Sequence, residues 1–170
     1  MDDPFPNMIL GVNWLPDSDA TQEYNCFAWA VWSNQDVIWP DSLGVCQWDP
    51  ALPRTDDIPT IIRFLANVGF VRTFSDAFED GFEKIAIYAL NGDPQHLARQ
   101  EIKGPRKGYW TSKLGEGGID AYHPTLKVLE GPKYGNVVAI LKREFKGPPN
   151  IPTLVPGRPR LINPDGSRML

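Results

Sequence analysis

The chain has 170 residues, 42% of them hydrophobic and 22% charged, with a net charge of -4. That length fits one domain with one filled core, and the composition is that of a globular protein rather than a disordered chain. The acidic balance argues against a general nucleic-acid binder, and no run approaches the roughly 20 apolar residues of a membrane span.

The opening stretch, MDDPFPNMILGVNWLP, places acidic residues where a secretory leader needs basic ones, so the expected location is the cytoplasm. Cys26 and Cys46 are too few for a disulfide framework, and a reducing compartment would leave both as free thiols. Residues 1–22, rich in Pro, Asp and Asn, read as an irregular arm leading into the first helix. From Asn25 the run CFAWAV is nearly continuous in apolar residues and suits a short buried helix ending near SNQD. A crossing rich in Pro, Asp and Trp follows over 36–57. Then IPTIIRFLANVGF supplies an amphipathic helix, with Ile58, Ile61, Ile62, Leu65 and Val68 at helical spacing and Gly69 as its stop.

The second half changes character. FEKIAIYAL (82–90), QHLARQEI (95–102), GYWTSKL (108–114) and GNVVAILKR (135–143) read as strands, and the short NGDP turn makes the first two a hairpin. AYHPTLKVLEG between the last two reads as a helical turn or short helix. The basic cluster KGPRKG at 103–108 reads as a solvated loop. Residues 146–170 hold too many prolines for a regular element and read as a surface strap or tail. Helices first and an antiparallel sheet of about four strands second make an α+β arrangement, with the main domain over 23–145.

The chemistry turns on few residues. Only two histidines exist, His96 and His123. A thiol becomes a strong nucleophile when a helix N-terminus or an imidazolium favours its thiolate, and Cys26 stands where its helix begins. His96, opening a strand of the sheet half, is the candidate partner. The same stretch EYNCFAWAV is equally a packed cysteine at the entry to a core helix, since cysteine is among the most buried residues. Strand alternation puts Ala98 and Gln100 on the face of His96 and Arg99 on the other. Cys46 lies in a loop-like stretch with no histidine near it in sequence and reads as incidental. Cys26, Cys46, His96 and His123 lack the close spacing of a zinc knuckle, so no metal is expected, and GEGG at 115–118 lacks the lysine and helix of a phosphate loop. No cofactor is implied.

A cysteine in YNCFAWAV on the first helix, a histidine opening HLARQ after a hairpin turn, and a polar residue in YWTSKLG one strand later resemble the papain-like cysteine hydrolases. The resemblance implies a papain-like fold, with the cysteine on the first helix and the helices packed on a C-terminal sheet. It also implies a Cys26–His96 pair oriented by a third polar residue. Ser112 is the position that matches, where papain itself has asparagine, and Asp120 or His123 in IDAYH are the alternatives. YNCFAWAV, FEKIAIYA, HLARQ, WTSKLG, IDAYH and LEGPKYGNVVAILKR are also similar to successive blocks of a bacterial family of unknown function. Its members are small standalone proteins frequent in cyanobacteria, and this likeness covers about residues 20–143.

Gln22 and Tyr24 precede the cysteine and read either as hydrogen-bond donors to an oxyanion, beside the Cys26 amide, or as helix-entry packing. Trp29 and Trp32 read as core, and Trp110 as a cleft wall or core. The expected activity is thiol-dependent hydrolysis of an amide bond by a peptidase, amidase or deamidase. Its partner would be a peptide or amide substrate, proteins included, and neither nucleic acid nor membrane. The competing expectation is a non-catalytic binding module on the same scaffold.

Overall fold

The computed structural model describes residues 3–34, 36–115 and 118–151. The elements follow in the order β1 (Leu15–Pro16), α1 (Cys26–Ala30), α2 (Ile58–Asn67), β2 (Val71–Thr73), β3 (Phe82–Leu90), β4 (Asp93–Gln100), β5 (Trp110–Lys113), β6 (Asp120–His123) and β7 (Asn136–Glu144). A single 3₁₀ turn, Leu126–Leu129, lies between β6 and β7. The seven strands form one sheet in the order β1-β6-β5-β4-β3-β7-β2, and every pair is antiparallel.

This corrects the expected papain-like layout of helices packed on a sheet of about four strands. The sheet dominates, and the two α-helices among the described residues are short, of 5 and 10 residues. The additional strands escaped notice for a physical reason. β1 and β2, of 2 and 3 residues, are largely exposed edge strands without apolar alternation, and Pro16 is tolerated only because β1 is an edge. The stretch read as a helical turn or short helix is divided between β6 and the 3₁₀ turn. The tail from residue 152 lies outside the described residues.

Burial on both faces explains the continuous apolar run of β3. Ile85 and Ile87 face α1 and α2 in a cluster with Phe27, Trp29, Phe64, Leu65 and Leu97. Ala86 and Tyr88 face the other way, packing with Ala98, Trp110, Leu129 and Tyr134 under the N-terminal arm, from which Phe5, Met8 and Trp14 join. The arm is therefore a layer of the structure. No helix among the described residues is long and apolar enough to cross a membrane.

Both ends of α1 are locally determined. The Asn25 side chain accepts the amide of Ala28 at 3.1 Å and exchanges hydrogen bonds with Ile38, its Nδ2 donating to the carbonyl at 2.8 Å. One cap thus fixes the helix start against the crossing segment. At the other end Trp32 takes φ 68°, and Ser33 N–H donates to Ala28 O at 2.8 Å while Trp32 N–H donates to Trp29 O. This left-handed stop usually employs glycine. Here the Trp32 ring lies against the Arg99 guanidinium, 3.6 Å from it, which offsets the backbone cost.

Candidate functional site

The sheet is incomplete where α1 begins. β5 pairs with β4 only through Arg99–Thr111 and Gln100–Trp110, so the β4 residues before Arg99 lack a β5 partner. On the other side the register between β3 and β4 shifts by one between Tyr88 and Ala89, leaving Gln95 as an extra residue beside His96. A cavity of about 210 Å³ occupies this place, lined by Cys26 and His96 together with Gln95, Asn25, Val37 and Trp39. Cys46, Gly115 and Tyr134 complete its wall. Among the described residues the lining carries no Asp, Glu, Lys or Arg.

Cys26 retains 9% of its surface exposed, whereas His96 has none. Burial pushes the Cys26 thiol up to about 11, against the opposing pull of the Leu97, Phe27 and Cys26 amides and the Lys113 ammonium. Burial, and then the charge of nearby His123, hold the His96 imidazole well below the usual histidine range. Both groups are consequently neutral at pH 7. A low-pKa thiolate is not the resting state of this site. Neither ring nitrogen of His96 has a hydrogen-bond partner among the described residues, Cys26 included. Leaving such atoms buried and unpaired costs about 1–3 kcal/mol each.

The polar residues proposed from sequence to orient His96 are engaged elsewhere. Ser112 Oγ donates to His123 Nε2 at 2.9 Å, and His123 Nδ1 donates to the Thr125 carbonyl at 3.0 Å. The carbonyl can only accept, which fixes the tautomer of His123 and makes Ser112 the donor. Asp120 accepts both contacts of the Tyr24 hydroxyl, at 2.9 and 2.8 Å, and its backbone amide is met by Ser18. Tyr24 is thus directed at Asp120, and Gln22 is exposed and outside the cavity lining. Trp110 is buried in the cluster beneath the N-terminal arm, away from the cavity.

Three residues at the site were not singled out by the sequence. Tyr134 stacks on His96 with ring centroids 4.2 Å apart and planes 7° from parallel. Cys46, read as incidental, lines the cavity, and its thiol hydrogen-bonds the Asp41 carboxylate. Lys113 is fully buried, with Nζ donating to the carbonyls of Thr21 at 2.7 Å and Gly115 at 3.0 Å, close enough to favour a thiolate at Cys26. A tyrosine in a PKYGN turn and a loop cysteine carry no local signal of a site. Only the sheet topology brings them there.

Neither cysteine forms a disulfide. Among the described residues no group of three or more His, Cys, Asp or Glu side chains is arranged to hold a metal ion. No curated protein and no solved structure matches the chain. The model of a domain of unknown function, DUF7689, matches residues 16–142, from β1 almost to the end of β7, and the chain belongs to that family.

Proposed function

We propose that the protein is a thiol-dependent hydrolase of an amide bond, with Cys26 as nucleophile and His96 as its base. One observation carries this reading. A fully buried imidazole with two unpartnered nitrogens shares an uncharged cavity with a thiol. An imidazole kept only for packing would be paired, as His123 is, or replaced by an apolar ring.

Because both groups rest neutral, the chemistry is general-base catalysis rather than attack by a preformed thiolate. The Cys26 S–H proton passes to a His96 ring nitrogen as sulfur bonds to the substrate carbonyl carbon. The amides beside the sulfur, those of Leu97, Phe27 and Cys26, are the donors at hand for the oxyanion. The imidazolium returns its proton to the departing amine as the C–N bond breaks, and water then cleaves the thioester with His96 again as base. The uncharged lining suits a neutral acyl portion of a peptide or amide. A reducing location such as the cytoplasm suits two cysteines outside any disulfide.

A second reading, a binding module without turnover, draws on the Cys26 thiol lying near 11. Acyl and peptidyl probes separate the two. Mass spectrometry should find an acyl adduct on Cys26 in the wild type and none in Cys26→Ala. In His96→Ala adduct formation should be slower by about 10²-fold or more. Modification that is equally fast without His96, or an unreactive Cys26 across the probe set, rejects the hydrolase.

A further inference from the structure

A catalytic imidazole must hold one plane, and at His96 no hydrogen bond sets it. The aromatic rings around it do. Tyr134 covers one face in near-parallel contact, 4.2 Å between centroids and 7° between planes, and Tyr88 meets the ring at 5.5 Å and 59°. Parallel stacking restricts tilt while leaving the ring edge, and so both nitrogens, free.

Tyr134 is itself firmly placed. Gly131 and Gly135 exchange backbone hydrogen bonds of 3.1 and 2.8 Å, closing the loop that carries it. Gly135 adopts φ +73°, and a Cβ there would lie 1.8 Å from the Ala89 carbonyl oxygen, so only glycine lets the loop press onto β3. Ala89 borders the register shift opposite His96. At the far end of the side chain, the Gly115 amide lies near the Tyr134 hydroxyl and favours its ionised form. The loop, the β3 irregularity and the Gly115 segment therefore converge on one aromatic ring, which is 4% exposed.

We infer that Tyr134 is the positioning residue of this site, its ring face orienting His96 in place of a hydrogen-bonding third residue. The arrangement has a chemical consequence. A carboxylate partner would favour the imidazolium and occupy one nitrogen. An aromatic face keeps the ring dry and neutral, so one nitrogen takes the thiol proton and the other stays open to the ligand. What the imidazole then does rests on the hydrolase reading, whereas its orientation by Tyr134 does not.

The test uses the full chain carrying Cys46→Ser, so that Cys26 is the single thiol. Two quantities are followed against pH: the rate of Cys26 alkylation by iodoacetamide, and the His96 ring C–H resonances by NMR. Tyr134→Phe keeps the ring and should retain the wild-type profile, with His96 resonances still displaced upfield by the stacked ring. Tyr134→Leu should move those resonances toward free histidine and raise the acid limb of the alkylation profile toward ordinary imidazole titration. It should also lower the His96-dependent part of the rate at least about tenfold. A folded Tyr134→Leu protein with wild-type resonances and profile overturns the inference. Should that variant not fold, undisplaced His96 resonances in the wild type or in Tyr134→Phe overturn it equally. If His96→Ala leaves Cys26 reactivity unchanged while Tyr134→Leu still shifts the His96 resonances, the hydrolase reading fails and the positioning role stands.

Discussion

His96 on β4 and His123 on β6 lie in the same sheet, separated by β5, and neither exposes any surface. Around His123 both nitrogens are used, Nε2 by the Ser112 hydroxyl and Nδ1 by the Thr125 carbonyl. Around His96 neither is used, and the ring borders a cavity that also holds a thiol. The contrast separates two uses of one residue type. A buried imidazole with a complete set of partners stabilises the fold by tying β5, β6 and the turn after β6 together. One left incomplete at a cavity costs stability and is available to a ligand.

The widest divergence should appear in reactivity. His96→Ala should slow acyl transfer to Cys26 by about 10²-fold or more, whereas His123→Ala, once shown to be folded, should leave the rate close to wild type. Single-turnover measurement with an activated acyl probe reads this directly. Equal losses in the two variants would dissolve the distinction between them.

Acid sensitivity comes next in size. Burial holds His123 down at about 4, with the Thr125 carbonyl pulling the other way, while the unfolded chain titrates near 6.5. Between those values the unfolded state binds the extra proton. The stability that neutral His123 supplies is therefore complete above about pH 6.5 and is lost as the pH falls toward 4, on the order of 3 kcal/mol in all. His96, held below the usual histidine range by burial and then by His123, acts in the same direction. Urea denaturation from pH 7.5 to pH 4 should show His123→Phe losing about 3 kcal/mol less than the wild type. Parallel losses would remove His123 as the cause.

Phenylalanine substitution at neutral pH sharpens the comparison further. His123→Phe strands the Ser112 hydroxyl and the Thr125 carbonyl and should cost about 1–3 kcal/mol. His96→Phe strands nothing, because the imidazole had no partner to lose, and should be neutral or slightly stabilising while abolishing the His96-dependent reaction. A strongly destabilised His96→Phe protein would show that His96 is structural after all.

The sequence revealed single elements but neither the seven-stranded architecture nor the site's wiring. The apolar run CFAWAV, the helical spacing from Ile58 to Leu65, and the runs that became β3, β4 and β7 are local signals, set by periodicity. β1 and β2 are too short for periodicity, and the N-terminal arm shows its packing role only against the second face of the sheet. By sequence Ser112 lies one strand after His96, which makes it the expected partner. Antiparallel register instead sets Ser112 opposite Ala121 and Trp110 opposite His123, and the Ser112 hydroxyl reaches the His123 ring. Which of two histidines a serine meets is decided by register, which local spacing does not encode. Tyr134 is less legible still, because its position comes from a glycine-closed loop pressed onto β3.

The smallest expected effect concerns the second thiol of the cavity. Cys26 and Cys46 line the same space, yet their surroundings differ. Three amides and the Lys113 ammonium pull Cys26 toward thiolate, although burial outweighs them at rest. The Cys46 thiol instead hydrogen-bonds the Asp41 carboxylate, which also accepts the Val45 and Cys46 amides and pairs with Arg54 at 2.8 Å. That hydrogen bond anchors the loop. Serine preserves the donor to that carboxylate. Cys46→Ser should therefore shift stability by no more than about 0.5 kcal/mol and leave acyl transfer to Cys26 unaltered. A marked fall in Cys26 acylation would instead make the two thiols a functional pair, and His96 would no longer be the sole base to consider at this cavity.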